Sequence, residues 1–170
     1  MALQEIIETR VVDAPHEAVW DVLTDIRNAA TTLRGVENIE LVDGDEYEVG
    51  LRWRETRKVF GMRATEEMWV ASVDPQSSTR VDADNGGVHY STRFDLTPIG
   101  DKTRIVVRFS SAGPVSPSAV QRATTAVFGR LGERMTRSML RSDLADIEKV
   151  ASGTANEMAI TDGTASGRTA

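Results

Sequence analysis

Apolar positions recur at helical spacing along the last third of the chain and at strand spacing along its middle. From about Ser116 to Ala151 no proline follows Pro117. Val120, Val127, Leu131, Met135 and Met139 return at intervals of four and seven, and Leu140, Leu144, Ile147 and Ala151 continue the stripe with some drift. Residues so spaced lie on one face of a helix, because a turn takes about 3.6 residues. Ser116-Pro117 supplies a cap and a first helical residue, and Gly153 follows the far end. The pattern therefore predicts one long helix, on the order of 50 Å at 1.5 Å per residue.

Upstream, Leu3 to Val12 mixes β-branched residues with charges and reads as a strand, and Asp13-Ala14-Pro15 breaks it. Pro15 suits a first helical turn with Asp13 or Ala14 as the cap, while Val19, Trp20, Val22, Leu23 and Ile26 supply an apolar face. A second short helix is expected from Asn28 to Leu33, closing at Gly35. From Val36 the period changes to two. Candidate strands at Val36–Val42, Tyr47–Thr56, Met62–Val73, Thr79–Asp84, Val88–Thr97 and Thr103–Ser111 are separated by turn signals such as Asp43-Gly44-Asp45, Asp74-Pro75 and Asn85-Gly86-Gly87. Connections of hairpin length imply an antiparallel meander.

Alternation assigns the faces of that sheet. Tyr47, Val49, Leu51 and Trp53 share one side; Val88, Tyr90, Thr92, Phe94 and Leu96 share one; Ile105, Val107 and Phe109 share one. The residues between them are mostly charged or polar, so one face is apolar and must be covered. The long C-terminal helix is the element left to cover it. Residues 152–170 are small, polar and aperiodic, and are expected to form a disordered tail after a single domain over residues 1–151.

Composition narrows the classes. The 170 residues are 40% hydrophobic and contain no Cys, which removes disulfides, thiolate nucleophiles and Cys-ligated zinc and fits a reducing cytoplasm. The formal net charge is −6, and residues 1–50 hold 3 basic and 12 acidic groups. Phosphate neutralisation needs clustered excess Lys and Arg, so nucleic acid is not the expected partner. No run approaches the roughly 20 apolar residues of a membrane span, and no signal segment opens the chain. A cytoplasmic protein without stable membrane insertion is expected, and a homodimer is left open.

The order strand, two short helices, meander and long helix resembles the helix-grip fold of the START-like, or SRPBCC, superfamily. Val12-Asp13-Ala14-Pro15-His16-Glu17-Ala18-Val19-Trp20 looks like that family's first strand-to-helix passage. Ser72-Val73-Asp74-Pro75 and Met139-Leu140-Arg141-Ser142-Asp143-Leu144 look like its later landmarks. The resemblance covers residues 3–151. It implies an α+β domain in which a curved antiparallel sheet of about six to seven strands grips the C-terminal helix around a hydrophobic cavity. Its implied ligand is a lipid, polyketide or similar apolar small molecule.

Within that picture Trp53, Tyr90, Phe94, Phe128, Leu131 and Met135 are candidate lining residues, although any of them also suits ordinary core. Gly129 and Gly132 sit mid-helix, where each costs up to about 1 kcal/mol relative to Ala, which suggests a close contact, a kink or a cavity wall. Glu55, Glu66, Tyr90, Thr92 and His89 are the polar groups that chemistry inside a pocket could use. His89 alternates onto the wet face, and Glu55 has the parity of the apolar side, with Arg57 or Arg63 as candidate ion-pair partners. Arg52, Arg54, Arg57, Lys58 and Arg63 surround one hairpin among Glu55, Glu66 and Glu67, as in ordinary cross-strand pairing. No phosphate loop, nucleophile elbow or zinc signature is present, and no cofactor or metal is expected. The expected function is binding of an apolar small molecule. The alternatives are an enzyme like the polyketide aromatase/cyclases, with catalytic residues unassigned, and a protein-interaction or stress-response module.

Overall fold

The computed structural model describes residues 4–59, 62–85, 87–113 and 119–165, with side chains placed at 5–58, 63–85, 87–113 and 132–155. Strand β1 (Gln4–Val12) leads into helix α1 (His16–Thr24), a 3-10 turn (Ile26–Asn28) and the single-turn helix α2 (Ala29–Thr32). Strands β2 (Val36–Asp43), β3 (Arg52–Val59), β4 (Met62–Asp74), β5 (Ser78–Asn85), β6 (Val88–Ile99) and β7 (Lys102–Ala112) follow, and helix α3 (Ala119–Ala165) ends the described chain. The seven strands form one sheet in the order β1-β7-β6-β5-β4-β3-β2, antiparallel at every pairing. This is the helix-grip fold.

Helix α1 begins one residue later than expected, with the Pro15 carbonyl accepting from the Val19 N–H at 3.2 Å. The strand expected at Tyr47–Thr56 starts later, at Arg52, and runs on to Val59. Gly50 has φ +101, a conformation that breaks a strand and that side chains resist, and the Leu51 N–H turns back to the Glu48 carbonyl at 3.1 Å. Val49, assigned by alternation to the apolar face, is consequently 62% exposed.

Two groups of apolar side chains fill the sheet's inner face. One joins Ile6, Val12, Val19, Trp20, Ile105 and Val107 to Leu140, Leu144, Ile147 and Ala151 of α3. The other, toward β3–β5, holds Leu51, Trp53, Val70 and Val81. The later half of the predicted helical stripe packs on the first of these groups. The side chains of Val120, Val127, Leu131 and Phe128 lie outside the described residues, as does the cap at Ser116-Pro117. Among the described residues, a Cβ added at Gly132 would meet no atom within 4 Å, and Gly129 lies outside the described side chains.

The helix does not stop at Gly153. It runs on to Ala165, Ala155 still packs on the core, and the Ser152 hydroxyl donates to the Asp13 carbonyl at 2.9 Å. One Gly removes no backbone donor, so continued packing and hydrogen bonding carry the helix across it.

Candidate functional site: a cavity under the sheet

Between the two apolar groups lies a cavity of about 320 Å³. Its floor comes from β3–β7, where alternation turns Trp53, Met68, Val81, Phe94 and Phe109 inward. Its roof is α3 at Met139, Leu140, Asp143 and Ile147, and one wall is the α1–α2 segment at Val22, Leu23, Ile26 and Leu33. The volume sits at the lower end of the range for small-molecule sites, which runs from about 300 to 1,000 Å³.

Of the residues singled out from sequence, Trp53, Glu55, Glu66, Tyr90, Thr92 and Phe94 all line this cavity. Met135 does not: it borders a second hollow of about 280 Å³ on the other side of Arg57 and Asp143, with Arg34, Lys58, Ser138 and Ser142. A single helical turn separates Met135 from Met139, and only the latter reaches the main cavity. Phe128 and Leu131 lie outside the described side chains. His89 stands on the outer face, 45% exposed, with Nδ1 at 2.8 Å from Asp84 and its ring against Trp69.

The main polar feature is a carboxylate–guanidinium–carboxylate cluster. Arg57 Nε donates to Glu55, and Arg57 Nη1 donates to Asp143 Oδ2 at 2.9 Å. The Trp53 indole N–H points to the other Glu55 oxygen at 3.4 Å. Glu55 thus faces inward and takes Arg57, not Arg63, as its ion-pair partner. Burial works against charge on Arg57, but Asp143 and Glu55 overcome it and hold the guanidinium above its usual pKa. Burial pushes Asp143 up to about 6, with Glu55 and Asp146 adding to the effect against the pull of Arg57. One guanidinium between two carboxylates leaves one carboxylate charge in excess in the cluster.

Neighbouring pairs fix this geometry. Asp146, one turn of helix from Asp143, accepts from the Arg34 backbone N–H at 3.1 Å and from Arg34 Nε at 2.9 Å, pinning the α2–β2 loop to α3. Burial raises the Asp146 pKa, but the Arg34 bonds outweigh it and leave it below the usual range. The Tyr47 hydroxyl lies 2.9 Å from Thr79 Oγ1, and burial pushes its pKa up. Burial, then Glu66, raises Tyr90. A pocket with two protonated phenols, a fixed guanidinium and carboxylates can orient a polar substituent on an otherwise apolar molecule.

Sequence reading missed Arg57, Asp143 and Tyr47 as cavity residues. It groups Arg57 with the outer arginines, yet Arg57 shares the parity of Trp53 and Glu55. Asp143 falls four residues from both Met139 and Ile147 on the helical stripe. The other arginines of that hairpin do pair on the outside, Arg52 with Glu67, Arg54 with Glu40 and Glu67, and Arg63 with Glu37. Among the described residues no group of three or more His, Cys, Asp or Glu could hold a metal, and no helix is long and apolar enough to cross a membrane.

A sheet gripping a helix over such a cavity defines a START-like ligand-binding fold. The chain belongs to the polyketide cyclase/dehydrase and lipid transport family, whose model matches residues 4–151. No curated protein matches the sequence. Among solved structures it resembles TTHA0849 from Thermus thermophilus at 18% identity and a TM-score of 0.74, covering 89% of this chain and 99% of that one. The Zhui aromatase/cyclase from Streptomyces sp. R1128 is similar at 17% identity and 0.67, covering 91% and 94%. A START superfamily protein from Mycobacterium smegmatis is similar at 13% and 0.63, covering 92% and 99%. At these identities the likeness is one of fold.

Proposed function

We propose that this protein binds an apolar small molecule, of lipid or polyketide type, in the cavity between β3–β7 and α3. The observation that carries this reading is an interior space of about 320 Å³ whose walls are chiefly Val, Leu, Ile, Met and aromatic side chains. A protein interior is normally close-packed, and an apolar-walled hollow of this size, open in part to solvent, gains by exchanging its water for an apolar ligand. Native mass spectrometry with naphthylethanol as a neutral apolar probe tests it. The expected result is a saturable one-to-one complex that Ala83→Phe, which fills the cavity from β5, abolishes while the circular dichroism is retained. Absence of saturable binding, or equal binding by the filled variant, removes the reading.

A second reading is favoured by one specific observation. Glu55, Glu66, Tyr90 and Thr92, the groups that an enzyme resembling the aromatase/cyclases would need inside, all line the cavity with Arg57. Such an enzyme would orient a flexible poly-carbonyl chain and exchange protons with it, using proximity more than a nucleophile. Incubation with a linear poly-β-ketone should then give ring formation visible in the ultraviolet, lost in Arg57→Met. Recovery of unchanged chain under conditions where it binds would leave only the binding role.

A further inference from the structure

Glu66 has no use in the packing just described. It stands directly opposite Glu55 in the β3–β4 register, and like charges facing one another across a ladder are destabilising. Glu55 is relieved by Arg57, but Glu66 forms no ion pair among the described residues. Its partner is the Asn85 side-chain amide, donating to Oε1 at 2.8 Å. Glu66 also lies close enough to Tyr90 to raise its pKa. Around the cavity, Glu55, Glu66 and Asp143 face a single cation among the described lining residues, Arg57, which Glu55 and Asp143 already share, while Asp25 at the rim is exposed and caps the Ile26–Asn28 turn. The lining is therefore apolar in surface and carries more carboxylates than cations, with the half-buried Glu66 having no cation beside it among the described residues.

Building on the ligand-binding reading above, we infer that the cavity selects a ligand carrying a cationic amine on an apolar, ring-sized body, with the amine seated between Glu66 and Tyr90. A carboxylate-headed ligand such as a free fatty acid is disfavoured. It would bring another negative charge toward Glu55, Glu66 and Asp143, and Arg57 has its Nε and Nη1 donors committed. An amine meets instead a carboxylate that has an amide but no cation beside it among the described residues, and the Tyr90 hydroxyl offers a second acceptor.

The test is calorimetric titration of the full chain near pH 7 with three probes of matched body: naphthylethylamine, naphthylethanol and naphthylacetate. The amine is expected to bind at least about tenfold more tightly than the alcohol, and the acetate more weakly than either. Glu66→Gln should collapse the amine-to-alcohol ratio toward one. Glu67→Gln, the next residue on β4 and paired outward with Arg52 and Arg54, should preserve it. Equal affinities for amine and alcohol, or preference for the acetate, overturn this inference while leaving the apolar cavity reading intact. Failure of all three probes to bind overturns the cavity reading itself. Because the wild-type comparison needs no substitution, the outcome does not depend on how the variants fold.

Discussion

At the scale of single residues, Arg57 and Asp143 decide most. Asp143 titrates at about 6 in the folded protein against an ordinary 3.8, so the folded state keeps a proton that the unfolded chain releases. The stability tied to that proton is complete below about pH 4 and is lost as the pH rises through about 6. Asp143→Asn carries no such proton. It should gain on the wild type by about 1–3 kcal/mol between about pH 4 and pH 7, read from urea midpoints at the two values. A difference that stays constant with pH would contradict the burial assigned to Asp143. Removing the shared partner has a larger effect. Arg57→Met strands Glu55 and Asp143 away from water and should cost about 3–5 kcal/mol. Adding Glu55→Gln and Asp143→Asn to that variant should recover most of the loss, and a triple variant as unstable as the single one would show that packing, not charge, was lost. These residues were only partly legible. Parity along β3 places Trp53, Glu55 and Arg57 on one face, but a guanidinium reads as solvent-facing until a buried partner is known. Asp143 is distant in sequence, and no local rule connects the two.

At the scale of elements, the edge strand β1 is held by α3 through a charged clasp. Glu8 accepts from Arg137 Nη1 at 2.8 Å and from Arg141 Nε at 2.8 Å, Arg137 also reaches the Ile7 carbonyl at 3.3 Å, and Arg10 pairs with Glu148. An edge strand exposes unpaired backbone groups, and these arginines cover part of that edge. Burial raises the Glu8 pKa, yet the two arginines outweigh it and hold the carboxylate below its usual range. Its contribution is present above the unfolded value and is lost as the pH falls through the folded one. Glu8→Gln should cost on the order of 1 kcal/mol near pH 7 and speed amide exchange along β1. Unchanged exchange in β1 would assign its protection to Ile6 and Val12 alone. The strands were legible because their alternation and turns agreed, and β2, β4, β5 and β7 lie within a residue or two of their expected bounds. The start of β3 was not, since Tyr47 and Val49 continue the alternation while Gly50 reverses the backbone. The end of α3 was not either, because Gly153 is a stop signal only where tertiary contacts end.

At the scale of the whole molecule, the seven-stranded sheet, α1 and α3 enclose two packed apolar groups with a space between them. Sequence periodicity could show that the sheet's apolar face needed covering, but a filled core and a walled cavity use the same side chains, so the space itself was outside its reach. The exposed large apolar residues Ile7, Val11 and Ile99 lie on β1 and the β6–β7 turn, at one end of the sheet, and Val42 and Val49 lie near the β2 end. The cavity is the feature to test. The most direct measurement is a crystal structure of the full chain grown with naphthylethanol. Electron density for the probe is expected between Trp53, Tyr90, Phe94 and Met139, with its hydroxyl toward Glu66 or Arg57. An interior closed by side chains, with the probe absent or held only on the outer surface, would contradict the cavity reading.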